Sequence, residues 1–226
     1  LNKTCGLSHG KVRRVFAKLF GIELSRGGSA QVMLRAGRRC QPIYDRIVAI
    51  LPRQKAVTPD ETGWRIAGQL AWLHVFTNAL LTCYRIDRQR GFAVAAGLLG
   101  EDYAGRLVHD GWGPYDRFFH AVHQTCLGHL LRRCPPLLEP ASGAAVIFPR
   151  RIKHILQQAL ALRDRYAVQG ISLHGLAVAR GRLESQLDRL LTWTRADAAN
   201  ETFAKHLTKH RRQLFTFLDD PAFGLE

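Results

Sequence analysis

The hydrophobic pattern of this chain changes period twice. From residue 11 to 50 apolar side chains recur at helical spacing, with Val12, Val15, Phe16, Leu19 and Phe20 at intervals of three and four. Gly21 breaks that stripe. Ser25 is a candidate cap, and Gly27-Gly28 loosens the turn before a second helical run over roughly 29–51. From 56 to 133 the apolar runs become short and strand-like. One run, Ala56-Val57-Thr58-Pro59, leads into Asp60. Runs over 70–77 and 80–86 flank Asn78-Ala79 and predict an antiparallel hairpin. A helix over 91–99 ended by Gly100, a strand over 106–110, a short helix over 114–119, a strand over 121–125 and a helix over 127–133 follow. This order predicts an α/β fold with a mixed sheet flanked by helices. Pro135-Pro136 and Pro140 mark a boundary, beyond which the pattern is helical to the end.

Three seams run through that last part. Ile152, Ile155, Leu156, Ala159, Leu162 and Tyr166 form the first. Leu173, Leu176, Leu183, Leu187, Leu190 and Leu191 form the second, and Phe203, Leu207, Leu214 and Leu218 the third. They predict a helical bundle or an extended arm. The pattern thus divides the chain into an N-terminal helical region, 1–52, a sheet-bearing region, 53–134, and an all-helical insert, 135–226.

Charge narrows the partners. The 226 residues carry 33 Lys and Arg against 18 Asp and Glu, a formal charge of +15, which favours a polyanion. Nucleic acid is the first candidate. A membrane surface is disfavoured, because no basic amphipathic helix has a broad Trp and Phe face. No uninterrupted apolar run reaches the length of a membrane span, and no secretory signal is visible. The five cysteines are odd in number and contain no Cys-x-x-Cys, which argues against a disulfide framework and for a reducing cytoplasm. The helix pair at the N-terminus reads in two ways: a DNA-binding helix-turn-helix, or a helical hairpin that packs on its neighbour. In the first reading Lys11, Arg13, Arg14, Arg35, Arg38 and Arg39 touch phosphates. The chain starts at Leu1, its only methionine is Met33, and it stops soon after the turn-like Asp219-Asp220-Pro221, so a partial reading frame is expected.

The chemistry concentrates in Asp60-Glu61-Thr62-Gly63-Trp64 and Asp110-Gly111-Trp112. In each, an acidic residue is expected to end a strand. Two carboxylates at neighbouring strand ends repel unless a cation lies between them. Mg²⁺, or Mn²⁺ in its place, suits such hard oxygen ligands, and two such ions can clamp the attacking and leaving oxygens of a phosphodiester. On a basic chain this points to cutting or joining DNA. Glu61, next to Asp60 on a strand, is expected to point away from that site.

These blocks form an ordered series. Asp60-Glu61-Thr62-Gly63-Trp64 is followed by Tyr84-Arg85-Ile86-Asp87, Arg90-Gly91-Phe92, and Leu99-Gly100-Glu101-Asp102-Tyr103-Ala104-Gly105. Asp110-Gly111-Trp112 and His123-Gln124-Thr125-Cys126-Leu127-Gly128-His129-Leu130 complete it. The series resembles the central region of insertion sequence 66 family transposases, and the flanks extend the resemblance over nearly the whole chain. It implies a ribonuclease H-like core that cuts and rejoins double-stranded DNA at insertion-sequence ends with divalent ions, Asp60 and Asp110 serving as the first two catalytic and metal-holding carboxylates. Joining two ends implies a homo-oligomer. The family's third carboxylate is a Glu in an Asn-x-x-Glu-Arg-type motif beyond the helical insert. The chain stops before such a motif, and Glu184, Glu201 and Glu226 do not match it. The alternative is therefore a truncated, catalytically inactive remnant that only binds DNA. Cys126 and His129 look like a Cys-x-x-His feature of related transposases. They read either as a structural element near the active site or as half of a zinc site. Trp64 and Trp112 read either as core residues or as stacking platforms for a nucleotide.

Overall fold

A computed structural model describes residues 1–139, 143–193, 195 and 197–219. Pro140, Asp220, Pro221 and Glu226, on which the boundary, turn and terminal readings partly fall, lie outside the described residues. The chain forms two compact units, Leu1–Ile50 and Leu51–Glu226.

The first unit is helical. A single turn, α1 (Asn2–Cys5), precedes α2 (His9–Phe20) and α3 (Arg26–Ile50). Ser8 caps α2 by accepting the Lys11 N–H. Gly21, at φ 63°, ends α2 in the left-handed conformation that glycine adopts without strain. Ser25 accepts the Gly28 N–H at 2.8 Å, the cap its position predicts. Val12 and Ser29 are buried where the two helices meet, and His9 Nδ1 lies 2.9 Å from Ser29 Oγ. The lower part of the apolar stripe, Leu19 and Phe20, is exposed.

The second unit is built on a five-stranded sheet in the order β3-β2-β1-β4-β5. The strands are β1 (Ala56–Ile66), β2 (Gln69–Thr77), β3 (Thr82–Asp87), β4 (Arg106–His109) and β5 (Val122–Thr125). β1, β2 and β3 pair antiparallel, whereas β1, β4 and β5 pair parallel, so the sheet is mixed as expected. Helix α4 (Phe92–Leu99) crosses over between β3 and β4, and a 3₁₀ segment, Gly113–Arg117, replaces the short α-helix expected there.

Strand β1 corrects one expectation. It does not end at Asp60 but continues to Ile66, because its ladder with β2 runs from Thr58↔Thr77 to Ile66↔Gln69. Ala67 and Gly68, at φ 51° and 80°, close that hairpin. Only Ala56 and Val57 pair with β4, so Pro59 lies past that ladder and removes no hydrogen bond from it.

Helices α5 (Leu127–Leu138), α6 (Ile147–Ala167), α7 (Leu173–Leu191) and α8 (Ala198–Lys209) follow. Helix α5 runs through Pro135 and Pro136, which therefore do not terminate it. Burial of Leu127, Leu130 and Cys134 offsets the lost donors. Most of the three seams is buried: Ile152, Leu156, Leu187, Leu190, Phe203 and Leu207 lie in one cluster with α5, whereas Leu173 is exposed and Leu214 and Leu218 follow the end of α8. Gln124 of β5 ties the last described turn to the sheet. Its Nε2 donates to Leu214 O, and its Oε1 accepts from Thr216 Oγ1 and the Phe217 N–H. Among the described residues, no helix is long and apolar enough to cross a membrane.

Candidate active site

The two sequence-predicted aspartates follow adjacent, parallel-paired strand segments. Ala56 lies opposite Arg106 and Val57 opposite Leu107, and the same offset, continued past the end of that ladder, would carry Asp60 to the level of Asp110. Across the next pair, His109 lies opposite Thr125, which sets Cys126 level with Asp110. Side chains two apart on a strand share a face. Thr58, Val108, Gln124 and Cys126 line one cavity of about 240 Å³ under α5 and α6, so Asp60 and Asp110 follow on that same helix-covered side. Adjacent strands are about 4.8 Å apart, the spacing at which two carboxylates share a cation.

Each aspartate has one oxygen held by a peptide N–H. Glu61 N donates to Asp60 Oδ1 at 2.9 Å, and Trp112 N donates to Asp110 Oδ1 at 2.8 Å. The other oxygens are left for a ligand, with His129 Nε2 3.8 Å from Asp60 Oδ2. His129 Nδ1 is buried without a hydrogen-bond partner. The Asp60 side chain is 58% exposed, open enough to meet a substrate. The pair thus offers hard oxygen donors that fit Mg²⁺ or Mn²⁺. Cys126 and His129 flank it, the first at the level of Asp110 and the second near Asp60.

Glu61 points to the opposite face, as its place on the strand predicts, and its side chain is only 3% exposed. Its Oε1 accepts from Arg90 Nη2 at 2.8 Å and Nε at 3.1 Å, and its Oε2 accepts from Tyr115 Oη at 2.8 Å. Burial and the Glu61 carboxylate both push the Tyr115 hydroxyl far above its usual range, so it stays a donor. The Arg90 guanidinium is flanked by two indoles, 4.6 Å from the Trp72 ring and 4.4 Å from the Trp112 ring. Sequence reasoning assigned no role to this group. The available signal was an arginine between β3 and α4, followed by a glycine and a buried Phe92.

His109, one residue before Asp110, is also buried. Its pKa is lowered to about 4, first by burial and then by His123, so the ring is neutral at pH 7. The hydrogen bonds fix its tautomer. Nδ1 accepts the Gly111 N–H at 3.2 Å, so Nε2 carries the proton and donates to His123 Nδ1 at 3.0 Å. His123 Nε2 then donates to Phe118 O. Ligand atoms of His109, Asp116 and His123 lie within 4.8 Å of one another, a grouping that could hold a metal ion. A cation there would displace the proton between the two rings and compete with the Gly111 N–H, and Lys209 Nζ lies 3.6 Å from Asp116 Oδ2.

From the other side, α8 presents His206 and His210 one turn apart. Gly111, at φ +91°, leaves room for both rings: a Cβ there would come within 2.8 Å of His210 Nε2. Burial, then Arg133, lowers the His206 pKa to about 4.

The remaining candidates lie apart. Trp64 is 45% exposed on the β1–β2 ribbon, so it is not a core residue. Trp112 stacks on Arg90 and, edge-on, on Tyr115. Lys11, Arg13, Arg14, Arg35, Arg38 and Arg39 are all exposed on the N-terminal helical unit. Glu184 pairs with Arg180 and Arg211, and Glu201 with Arg195 and Lys205, so neither is a spare carboxylate.

No curated protein matches the chain. Residues 6–226, however, match the family described as Transposase IS66 family, which takes in both aspartates, the Arg90 group and helices α5 to α8. The chain belongs to the IS66 transposase family.

Proposed function

We propose that this transposase cuts and rejoins double-stranded DNA at insertion-sequence ends through a divalent-ion site held by Asp60 and Asp110. The observation that supports this reading is the parallel register of β1 and β4, which, continued beyond Val57↔Leu107, would set both aspartates at one level on one face. The sheet order, with its antiparallel β1–β2–β3 and parallel β1–β4–β5, supports a ribonuclease H-like core. Mg²⁺ or Mn²⁺, when bound, supplies Lewis acidity to the oxygens that attack and leave the phosphodiester. The remaining oxygens of Asp60 and Asp110 would hold it, while the Glu61 and Trp112 N–H groups each fix the other oxygen of their carboxylate. His129 sits where it can hydrogen-bond a phosphate oxygen beside Asp60. The exposed basic residues of the N-terminal helices grip DNA phosphates, which positions the ends without reading them. Two such chains act together, because two ends are joined.

The test is incubation of the chain with a duplex carrying its own insertion-sequence ends, with Mn²⁺ or Mg²⁺. Metal-dependent strand cleavage, absent in Asp60→Asn and Asp110→Asn, supports the reading. Salt-sensitive binding with no cleavage in any variant or metal supports the rival, a protein that only binds DNA.

A further inference from the structure

We infer that Arg90 is a positioning residue that couples the two carboxylates of the acid pair; this rests on the cation-site reading of Asp60 and Asp110. The two peptide N–H groups that orient those aspartates belong to Glu61 and Trp112. Arg90 joins the side chains of the same two residues. Its guanidinium donates twice to Glu61 Oε1, and its face lies 4.4 Å from the Trp112 ring. Tyr115 closes the loop, since its hydroxyl donates to Glu61 Oε2 and its ring meets Trp112 edge-on at 5.4 Å. Trp72 of β2 backs the guanidinium from its other contact at 4.6 Å.

The arrangement addresses a weakness of the site. Asp60 lies within a strand, but Asp110 follows the last residue of β4 and precedes Gly111, at φ +91°. Nothing in the sheet ladder fixes the Trp112 peptide. Besides the Tyr115 N–H bond to Trp112 O, the bracket from β1 through Arg90 to the Trp112 indole steadies that peptide, whose N–H holds one oxygen of Asp110 and leaves the other for a cation. Both ends of the bracket are polar or aromatic groups already committed to each other. Arg90 is therefore not a free cation for DNA, and its effect passes through the aspartates.

The experiment is a Mn²⁺ titration of the full chain, with free ion counted by electron paramagnetic resonance and folding checked by circular dichroism. The parent chain is expected to bind Mn²⁺ in a manner abolished by Asp60→Asn. Arg90→Ala weakens that binding roughly tenfold or more, the range seen when an outer partner of a metal ligand is removed. Arg90→Lys restores part of it, because the ion pair with Glu61 survives while the flat stack is lost. Glu61→Gln, close in shape and able to keep the Tyr115 bond, weakens binding several-fold and judges the idea should Arg90→Ala fail to fold. Affinities of Arg90→Ala and Glu61→Gln within twofold of the parent overturn the coupling while leaving the acid pair standing. A parent whose Mn²⁺ binding is indifferent to Asp60→Asn overturns the acid pair and the coupling together.

Discussion

Asp60 and Glu61 are neighbours of the same charge on one strand, yet their side chains are 58% and 3% exposed. The pattern repeats on β4, where buried His109 precedes the more accessible Asp110. One face of the sheet edge keeps carboxylates whose second oxygens stay open. The other face holds groups that have spent their hydrogen-bonding capacity on the protein. A carboxylate's surroundings, rather than its presence, decide whether it serves a ligand or the fold.

The comparison can be broken from either side. Asp60→Asn should reduce cleavage roughly 100-fold or more, because several kcal/mol of transition-state stabilisation leave with the ligand. Its unfolding free energy should stay within about 0.5 kcal/mol of the parent, as expected for an exposed site. Activity and urea denaturation measured on one preparation check both halves. Gly111→Ala should cost about 3 kcal/mol in the same denaturation experiment. The added Cβ meets His210 and His206, and alanine is strained at φ +91°. Glu61→Ala should cost about 2 kcal/mol, less than a fully buried ion pair because Arg90 is one-third exposed. This loss of stability, set against the neutral Asp60→Asn, is the sharpest form of the contrast.

The smallest effect is the pH dependence. His109 has a folded pKa of about 4 against an ordinary 6.5, so the unfolded chain binds its proton first. Its contribution is complete above pH 6.5 and is lost as pH falls toward 4. Between pH 7 and 5 the folded state should lose about 1–2 kcal/mol through this residue. In His109→Gln that slope should flatten, with the remainder carried by half-buried His206, whose pKa is lowered in the same direction.

Much of this was legible in the sequence, and for physical reasons. Alternating and helical periods report burial directly, so the mixed sheet and all three helical seams could be read. Asp60 and Asp110 stood out because both follow apolar runs. The end of β1 was misread, since Asp-Glu-Thr-Gly looks like a turn when its partner strand is not in view. Pairing with β2 overrides that local preference. Pro135-Pro136 misled for the same kind of reason, because the packing of Leu130 and Cys134 outweighs a backbone preference. The Glu61–Arg90–Trp112 group was out of reach. Its members are 29 and 22 positions apart along the chain and meet only after the sheet has formed.

The parallel register also sets what changes of length β1 can bear. Every residue from Val57 onward alternates between the two sides of the sheet. Deleting one residue between Val57 and Asp60, with the start of the strand held, would move Glu61 into the place of Asp60, Asp60 into the place of Pro59, and Thr62 into the place of Glu61. A longer carboxylate would then stand where reach is fixed by the strand spacing, and a threonine, with no charge for the Arg90 guanidinium, where Arg90 and Tyr115 meet Glu61. For this strand a one-codon deletion is thus a graver lesion than most substitutions, and a two-codon deletion, although it restores the alternation, puts Thr62 and Gly63 where the two carboxylates stood.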